Sequence, residues 1–316
     1  MTENYNISSL ESYLKFIKEN IEIENAFYRG QEKRIADDYK LRPSIGRYNF
    51  LSQMNMTELS EYEEDVLEIF KNHVRGHNVL EAKNSWEYLA LAQHHGLPTR
   101  YMDWSTNPLV ALYFATRNTA FDENKKPFDS AVYVLTSNPK SLTAVEKELR
   151  HQKEKDEVKH KATSTTQETA DQGDPYSAYG IGDAVSPVTP PLQPSDEITE
   201  YVNRQSQAEL ISEVSYSSPL NLTENIIYYP PHISPRIRAQ DGVLLACYNP
   251  LNEIEEKDYI EIIIKAEAHK EIRKQLNKCG IFDRQLFPDV DGCTKWLKYD
   301  QFEVPQDNYL LSKEGK

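Results

Sequence analysis

Cysteine is scarce: three residues in 316, at Cys247, Cys279 and Cys293. The count is odd and no CxxC spacing occurs, so neither a disulfide framework nor a zinc site is expected, and buried reduced thiols are. Long apolar runs are missing too; nothing approaches the roughly 18 residues of a membrane helix, so no membrane contact is expected. The opening stretch MTENYNISSLESYLKF carries acids and no apolar run. It predicts no signal peptide and a cytoplasmic protein. Positive charge is in deficit, with 36 Lys and Arg against 50 Asp and Glu and a net charge of −14. That argues against broad electrostatic binding of nucleic acid or anionic lipid, though a local basic groove stays open. GxGxxG, Walker and GxSxG signatures are all absent, which disfavours Rossmann, P-loop and α/β-hydrolase readings. His73 and His77 have i, i+4 spacing but no intervening glutamate or third ligand, so no metal site is expected.

What is present suits a soluble globular chain: 39% hydrophobic and 10% aromatic residues, 20 of them tyrosine. The densest segment runs from Trp86 to Ala115, WEYLALAQHHGLPTRYMDWSTNPLVALYFA. Trp86, Leu89, Ala90 and Gln93 share a helix face, Ser85 stands as its N-cap, and Gly96 with Pro98 stops it. A loop from His94 to Thr106 follows, rich in chemically capable groups. Asn107 and Pro108 then begin a second helix, where the missing Pro N–H costs nothing, with Leu109, Leu112, Tyr113 and Ala115 inward. A polar loop pinned between two buried helices is the usual build of a site.

Around it, residues 8 to 21 predict an opening helix with Ser8 and Glu11 at capping-box spacing. Ala26 to Gln31 predicts a strand running into a turn. Arg29, at its end, is placed to hold a phosphate or carboxylate or to form a structural ion pair. A helix from about Ser60 to about Val74 is expected to turn Val66, Ile69, Phe70 and His73 inward. Strands are predicted at Ala131 to Leu135, Val243 to Tyr248 and Tyr259 to Ile264, and a helix from about Ala268 to Asn277 ending at Gly280. The tail around Leu286 and Phe287 reads as turn-rich. Residues 137–225 are charged, then Ser/Thr- and Pro-rich, and predict a flexible insertion. The expected fold is α+β: one mixed domain of short strands with packed helices, built from residues 1–136 and 226–316.

By chemistry alone the candidate site combines Arg29, the His94 to Thr106 loop and Arg236 to Gly242. It offers guanidinium groups (Arg29, Arg100, Arg236, Arg238), hydroxyls (Thr99, Ser105, Thr106), aromatic platforms (Tyr28, Trp104) and the acid Asp103. Such a set suits a phosphate-rich ligand with a planar base. A Ser/His/Asp arrangement can also be assembled from His95, Asp103 and Ser105, which keeps hydrolysis as a third reading.

FYRGQ, LALAQHHGLPTRYMDWSTNPLVALYFA, YYP…RIRAQDG and GI…LFPDVDG, in this order, resemble the FRG domain, a family named for its Phe-Arg-Gly motif. The chain departs in having a Tyr between Phe27 and Arg29 and in its long insertion. The family occurs in bacteria and phages and in some defence-associated proteins. The chain is also similar to ADP-ribosyltransferases of the arginine-serine-glutamate class. Phe27 to Gly30 resembles their aromatic-Arg-Gly strand. Trp104-Ser105-Thr106 before Val110 to Ala115 resembles the strand ending in Ser that leads to a helix. Gln240-Asp241-Gly242 stands in the place of the acid-bearing segment. That resemblance implies NAD as substrate, Arg29, Ser105 and Gln240 as catalytic residues, and Tyr28, Arg29, His95, Arg100, Asp103, Trp104 and Thr106 as its binding residues. It departs at Gln240, which cannot supply a carboxylate. Two readings therefore stand side by side. One is an NAD-dependent ADP-ribosyltransferase, toxin-like or anti-phage, acting on a protein or nucleic acid and meeting a partner protein through the insertion. The other is a non-catalytic module that binds a nucleotide, nucleic acid or phosphorylated partner.

Overall fold

The computed structural model describes residues 5–74, 82–151, 154–155, 218–231 and 235–306. The chain divides into two compact units, Met1–Leu142 with Ser218–Lys316, and Thr143–Ser217. The expected α+β architecture is found in the first. Its centre is a seven-stranded mixed sheet made of β1 (Tyr5–Ile7), β2 (Phe27–Gln31), β3 (Tyr101–Ser105), β4 (Ser130–Leu135), β5 (Ile226–Tyr228), β6 (Gly242–Ala246) and β7 (Tyr259–Ile264). The spatial order is β1-β7-β4-β2-β3-β6-β5, with β1 parallel to β7 and every other pair antiparallel.

Strand alternation splits the apolar side chains between two cores. On one face Tyr28, Val132, Val134, Ile262 and Ile264 pack with residues of α1 (Leu10–Asn20), α4 (Pro108–Thr116) and α6 (His269–Lys278). The other face buries Phe27, Met102, Trp104, Tyr133, Val243 and Leu245 under Leu41. Further helices of this unit are α2 (Met56–Val74), α3 (Ser85–His94), α5 (Pro235–Ala239), α7 (Asp283–Leu286) and α8 (Val290–Lys298).

Helix α4 is apolar almost all round, with Val110, Ala111, Leu112, Tyr113 and Ala115 buried, so it can only be a core helix. Its start is as predicted: Pro108 sits in the first turn and the Asn107 side chain accepts from the Leu109 N–H at 3.0 Å. It lies unusually close to β2. A Cβ on Gly30 would fall 1.9 Å from the Ala111 carbonyl oxygen and 2.7 Å from the Ala115 nitrogen. The motif glycine is thus a packing glycine, matched by two alanines on the helix.

Several local expectations need correction. The opening helix spans Leu10–Asn20 rather than 8–21, with Ser9 as N-cap in a reciprocal box with Ser12 rather than Ser8 with Glu11. Asn84, not Ser85, caps α3, accepting from the Glu87 N–H at 3.0 Å. Helix α2 starts at Met56 and buries Leu59, Glu63 and Leu67, while Ile69 is 59% exposed. An acid in the core, satisfied by an arginine, displaced the expected face. His73 donates through Nδ1 to the Ile69 carbonyl at 2.8 Å, and His77 lies outside the described residues. The tail is helical over α7 and α8 instead of turn-rich. Of the 137–225 stretch, residues 142–151 are helical, in keeping with the helix that the charged sequence from Val145 allows at its start. Its edges pair with the sheet: the Ile227 N–H donates to the Lys140 carbonyl at 2.9 Å, and Leu220 is buried.

Candidate functional site

The predicted loop from His94 to Thr106 is half strand. Tyr101–Ser105 is β3, a central strand. Tyr101, Asp103 and Ser105 face one side and Met102 and Trp104 the other. β3 is fully paired with β6, but it meets β2 at a single position, Tyr28 with Ser105. Beyond that point the strands diverge. The Arg29 guanidinium spans the opening and donates through Nη1 to the Asp103 carbonyl. Its Nε is buried with no partner among the described residues, and burial lowers its pKa against the pull of Asp103.

A cavity of about 280 Å³ opens beside this divergence. β2 contributes Tyr28, Arg29 and Gly30; α3 contributes Gln93 and His94; β3 contributes Asp103 and Ser105; α4 contributes Phe114; α5 and the turn after it contribute Arg236 and Gln240. Asp103 is exposed in it, and its Oδ2 accepts from Gln93 Nε2 at 3.0 Å. Gln93 is itself oriented from behind, since the buried Thr99 hydroxyl donates to its Oε1 at 2.8 Å. Burial, then His95 and Arg236, push the His94 imidazole below its ordinary pKa, with Asp103 pulling the other way. Arg236 is lowered by burial and raised by Asp103 and Asp289, and it stacks 4.3 Å over the Phe287 ring.

The turns leaving β3 and entering β6 are latched together. Ser105 Oγ donates to the Gln240 carbonyl at 2.7 Å, the Thr106 N–H to the Asp241 carbonyl at 3.0 Å, and Asn107 Nδ2 to Asp241 Oδ2 at 3.1 Å. Asp241 takes a left-handed φ of 46°, a conformation Asp tolerates better than most side chains. Gln240 Nε2 donates to the Leu286 carbonyl at 3.0 Å. The LFPDVDG segment therefore buttresses the cavity without lining it.

Residues 24–124 match the family model of the FRG domain. The chain carries an FRG domain. No curated protein and no solved structure matches the chain. The matched stretch contains β2, α3, β3 and α4, and the FRG domain's cavity is completed by residues well beyond it, Arg236, Gln240 and Leu244.

Of the predicted site residues, Tyr28, Arg29, Asp103, Trp104, Ser105 and Gln240 border the FRG cavity. Trp104 is not the expected open platform: it is 3% exposed among the residues of the opposite core, and its indole N–H has no partner among the described residues. Tyr28 and Phe114 supply the aromatic wall instead. Arg100 is absent from the cavity. It is fully buried, donating from Nε to Glu63 Oε1 at 3.1 Å and from Nη1 to the Leu220 carbonyl at 3.0 Å. His95 caps α3 through its backbone, and His94 takes the cavity position. Thr106 is exposed and contributes its N–H to the latch. The Ser/His/Asp arrangement does not form, because the Ser105 hydroxyl donates to a carbonyl and accepts from the Asn107 N–H at 3.0 Å. Sequence reasoning passed over Gln93 as a helix-face residue. Its position in the last turn before the loop was the available signal.

Proposed function

We propose that the cavity binds the nicotinamide–ribose–phosphate part of NAD and that the chain is an ADP-ribosyltransferase-like effector. One observation carries this reading. Arg29, Ser105 and Gln240, assigned by resemblance to three segments far apart in the sequence, border one cavity. The donor set fits the ligand. Arg29 and Arg236 offer guanidinium groups to phosphate, and Tyr28 and Phe114 offer aromatic surface to a planar ring. A volume near 280 Å³ falls just below the range of drug-sized ligand pockets, roughly 300–1,000 Å³, and suits half a dinucleotide. In this reading Ser105 acts by latching the turn that presents Gln240. The target is a protein or nucleic acid, a toxin-like or anti-phage role is the setting the family resemblance suggests, and residues 137–225 offer a contact to a partner protein.

Calorimetric titration with NAD tests the reading. The wild type is expected to bind saturably, and Arg236→Ala to weaken binding at least tenfold with an unchanged melting temperature. A wild type that shows no heat at millimolar NAD removes it. A second reading, binding without turnover, is favoured by Gln240 itself, a neutral side chain whose amide is engaged by the Leu286 carbonyl.

A further inference from the structure

Breaking the bond between nicotinamide and ribose leaves positive charge on the sugar as the neutral base departs with the bonding pair. A carboxylate nearby lowers that barrier electrostatically. Gln240 stands where the resemblance places that acid and cannot do this. Two carboxylates lie close by, and the structure separates them. Asp241 is absent from the cavity lining, and its Oδ2 accepts from Asn107 in the latch. Asp103 lines the cavity and is exposed there. Gln93 holds its Oδ2, while Oδ1 has no partner among the described residues. Among the described residues no other Asp or Glu lines the cavity.

Resting on the NAD reading above, we infer that Asp103, presented by Gln93 from β3, is the charge-stabilising catalytic carboxylate of this site. The C1′–N bond of NAD breaks and nicotinamide leaves neutral. Water or the target's nucleophilic atom forms the new bond to C1′ and gives up its proton, so hydrolysis yields ADP-ribose, nicotinamide and one proton. Asp103 faces the charge that builds at C1′. Gln93 is a positioning residue: its amide oxygen accepts from Thr99, which turns the amide N–H₂ toward the carboxylate. Arg29 and Arg236, the electrostatic neighbours of Asp103, remain on the phosphate side of the ligand.

The test uses the full chain, with NAD affinity by calorimetry and nicotinamide release by chromatography. Asp103→Asn keeps the shape and an acceptor for Gln93 but removes the charge. It is expected to lower kcat at least a hundredfold while Kd for NAD stays within threefold and the melting temperature holds. Asp291→Asn, at an exposed carboxylate of α8 outside the cavity lining, is expected to keep kcat within threefold. Gln93→Leu is expected to lower kcat more than it raises Kd. Wild-type turnover with Asp103→Asn retaining a third or more of kcat overturns the inference and leaves the NAD reading standing. Wild-type binding without release overturns it in favour of the binding module. A wild type that neither binds nor cleaves NAD fails at the parent reading, and the inference goes with it.

Discussion

Glu63 and Arg100 bring opposite charges into the protein interior, 4% and 0% exposed. Removing two ions from water costs several kcal/mol each, so the pair is tolerated only because its hydrogen bonding is complete. Arg100 grips both Glu63 oxygens and donates to the carbonyls of Pro219 and Leu220. Burial raises the Glu63 pKa and the guanidinium opposes it. Arg100→Ala is therefore expected to destabilise the fold by about 3–5 kcal/mol by leaving a buried acid unpaired, whereas Glu63→Leu with Arg100→Met recovers most of that loss. Urea unfolding of the three proteins checks it. His269 is a second buried titratable group, 1% exposed, its Nε2 2.9 Å from Ser130 Oγ and its Nδ1 3.1 Å from Thr119 Oγ1. Burial pushes its pKa below the ordinary value of 6.5. The unfolded chain then takes up a proton that the folded one refuses. Its contribution is complete above pH 6.5 and lost as pH falls through that value, at up to about 1.4 kcal/mol per pH unit. Urea midpoints at pH 5, 6, 7 and 8 should show this slope, and His269→Gln should flatten it.

Among elements, the contact of β2 with α4 sets the site, because Arg29 leaves one and Phe114 the other. Gly30→Ala must push the helix backbone away, since the added carbon meets a carbonyl and a peptide nitrogen rather than a yielding side chain. A loss of about 3 kcal/mol is expected, the upper end for overpacking, together with weaker NAD binding in the folded fraction. Thermal melts and calorimetry read the two effects separately. The elements that the sequence made legible are those whose signal is local. β4, β6 and β7 are apolar runs, and α4 announces itself by Asn107-Pro108. β3 was hidden because YMDWS is short and mixes Asp and Ser with aromatics. Its period-two alternation is visible only once both faces are known to be covered. Helix α8 was hidden by Pro288 and Gly292, yet Gly292 is there for packing: a Cβ would lie 1.9 Å from the Phe287 carbonyl oxygen. At the site, Arg29, Ser105 and Gln240 could be named through a resemblance. Arg236 and the loop beginning at His94 could be named by residue chemistry, but Gln93 could not, since its role depends on how α3 approaches Asp103 in three dimensions.

For the whole molecule, the sheet, both cores and the cavity belong to the unit formed by Met1–Leu142 and Ser218–Lys316. The chain leaves and re-enters that unit beside itself: the Ile227 N–H meets the Lys140 carbonyl at 2.9 Å, and Ser141 bridges to Ile227. The unit keeps its own anchor for the returning chain, because the carbonyls of Pro219 and Leu220 are held by Arg100 and Leu220 is 4% exposed. Loop-closure entropy rises only slowly with length, by about 0.6 kcal/mol per doubling, so shortening the excursion should stabilise slightly if anything. Replacing residues 143–217 with a Gly/Ser linker of about 15 residues, whose root-mean-square reach is about 20 Å, is accordingly expected to leave a folded protein. Its melting temperature should stay within a few degrees of the full chain and its NAD affinity within threefold. Loss of a partner protein captured by the full chain would assign that contact to the excised segment. An aggregated or unfolded product would instead make Thr143–Ser217 part of what holds the sheet together.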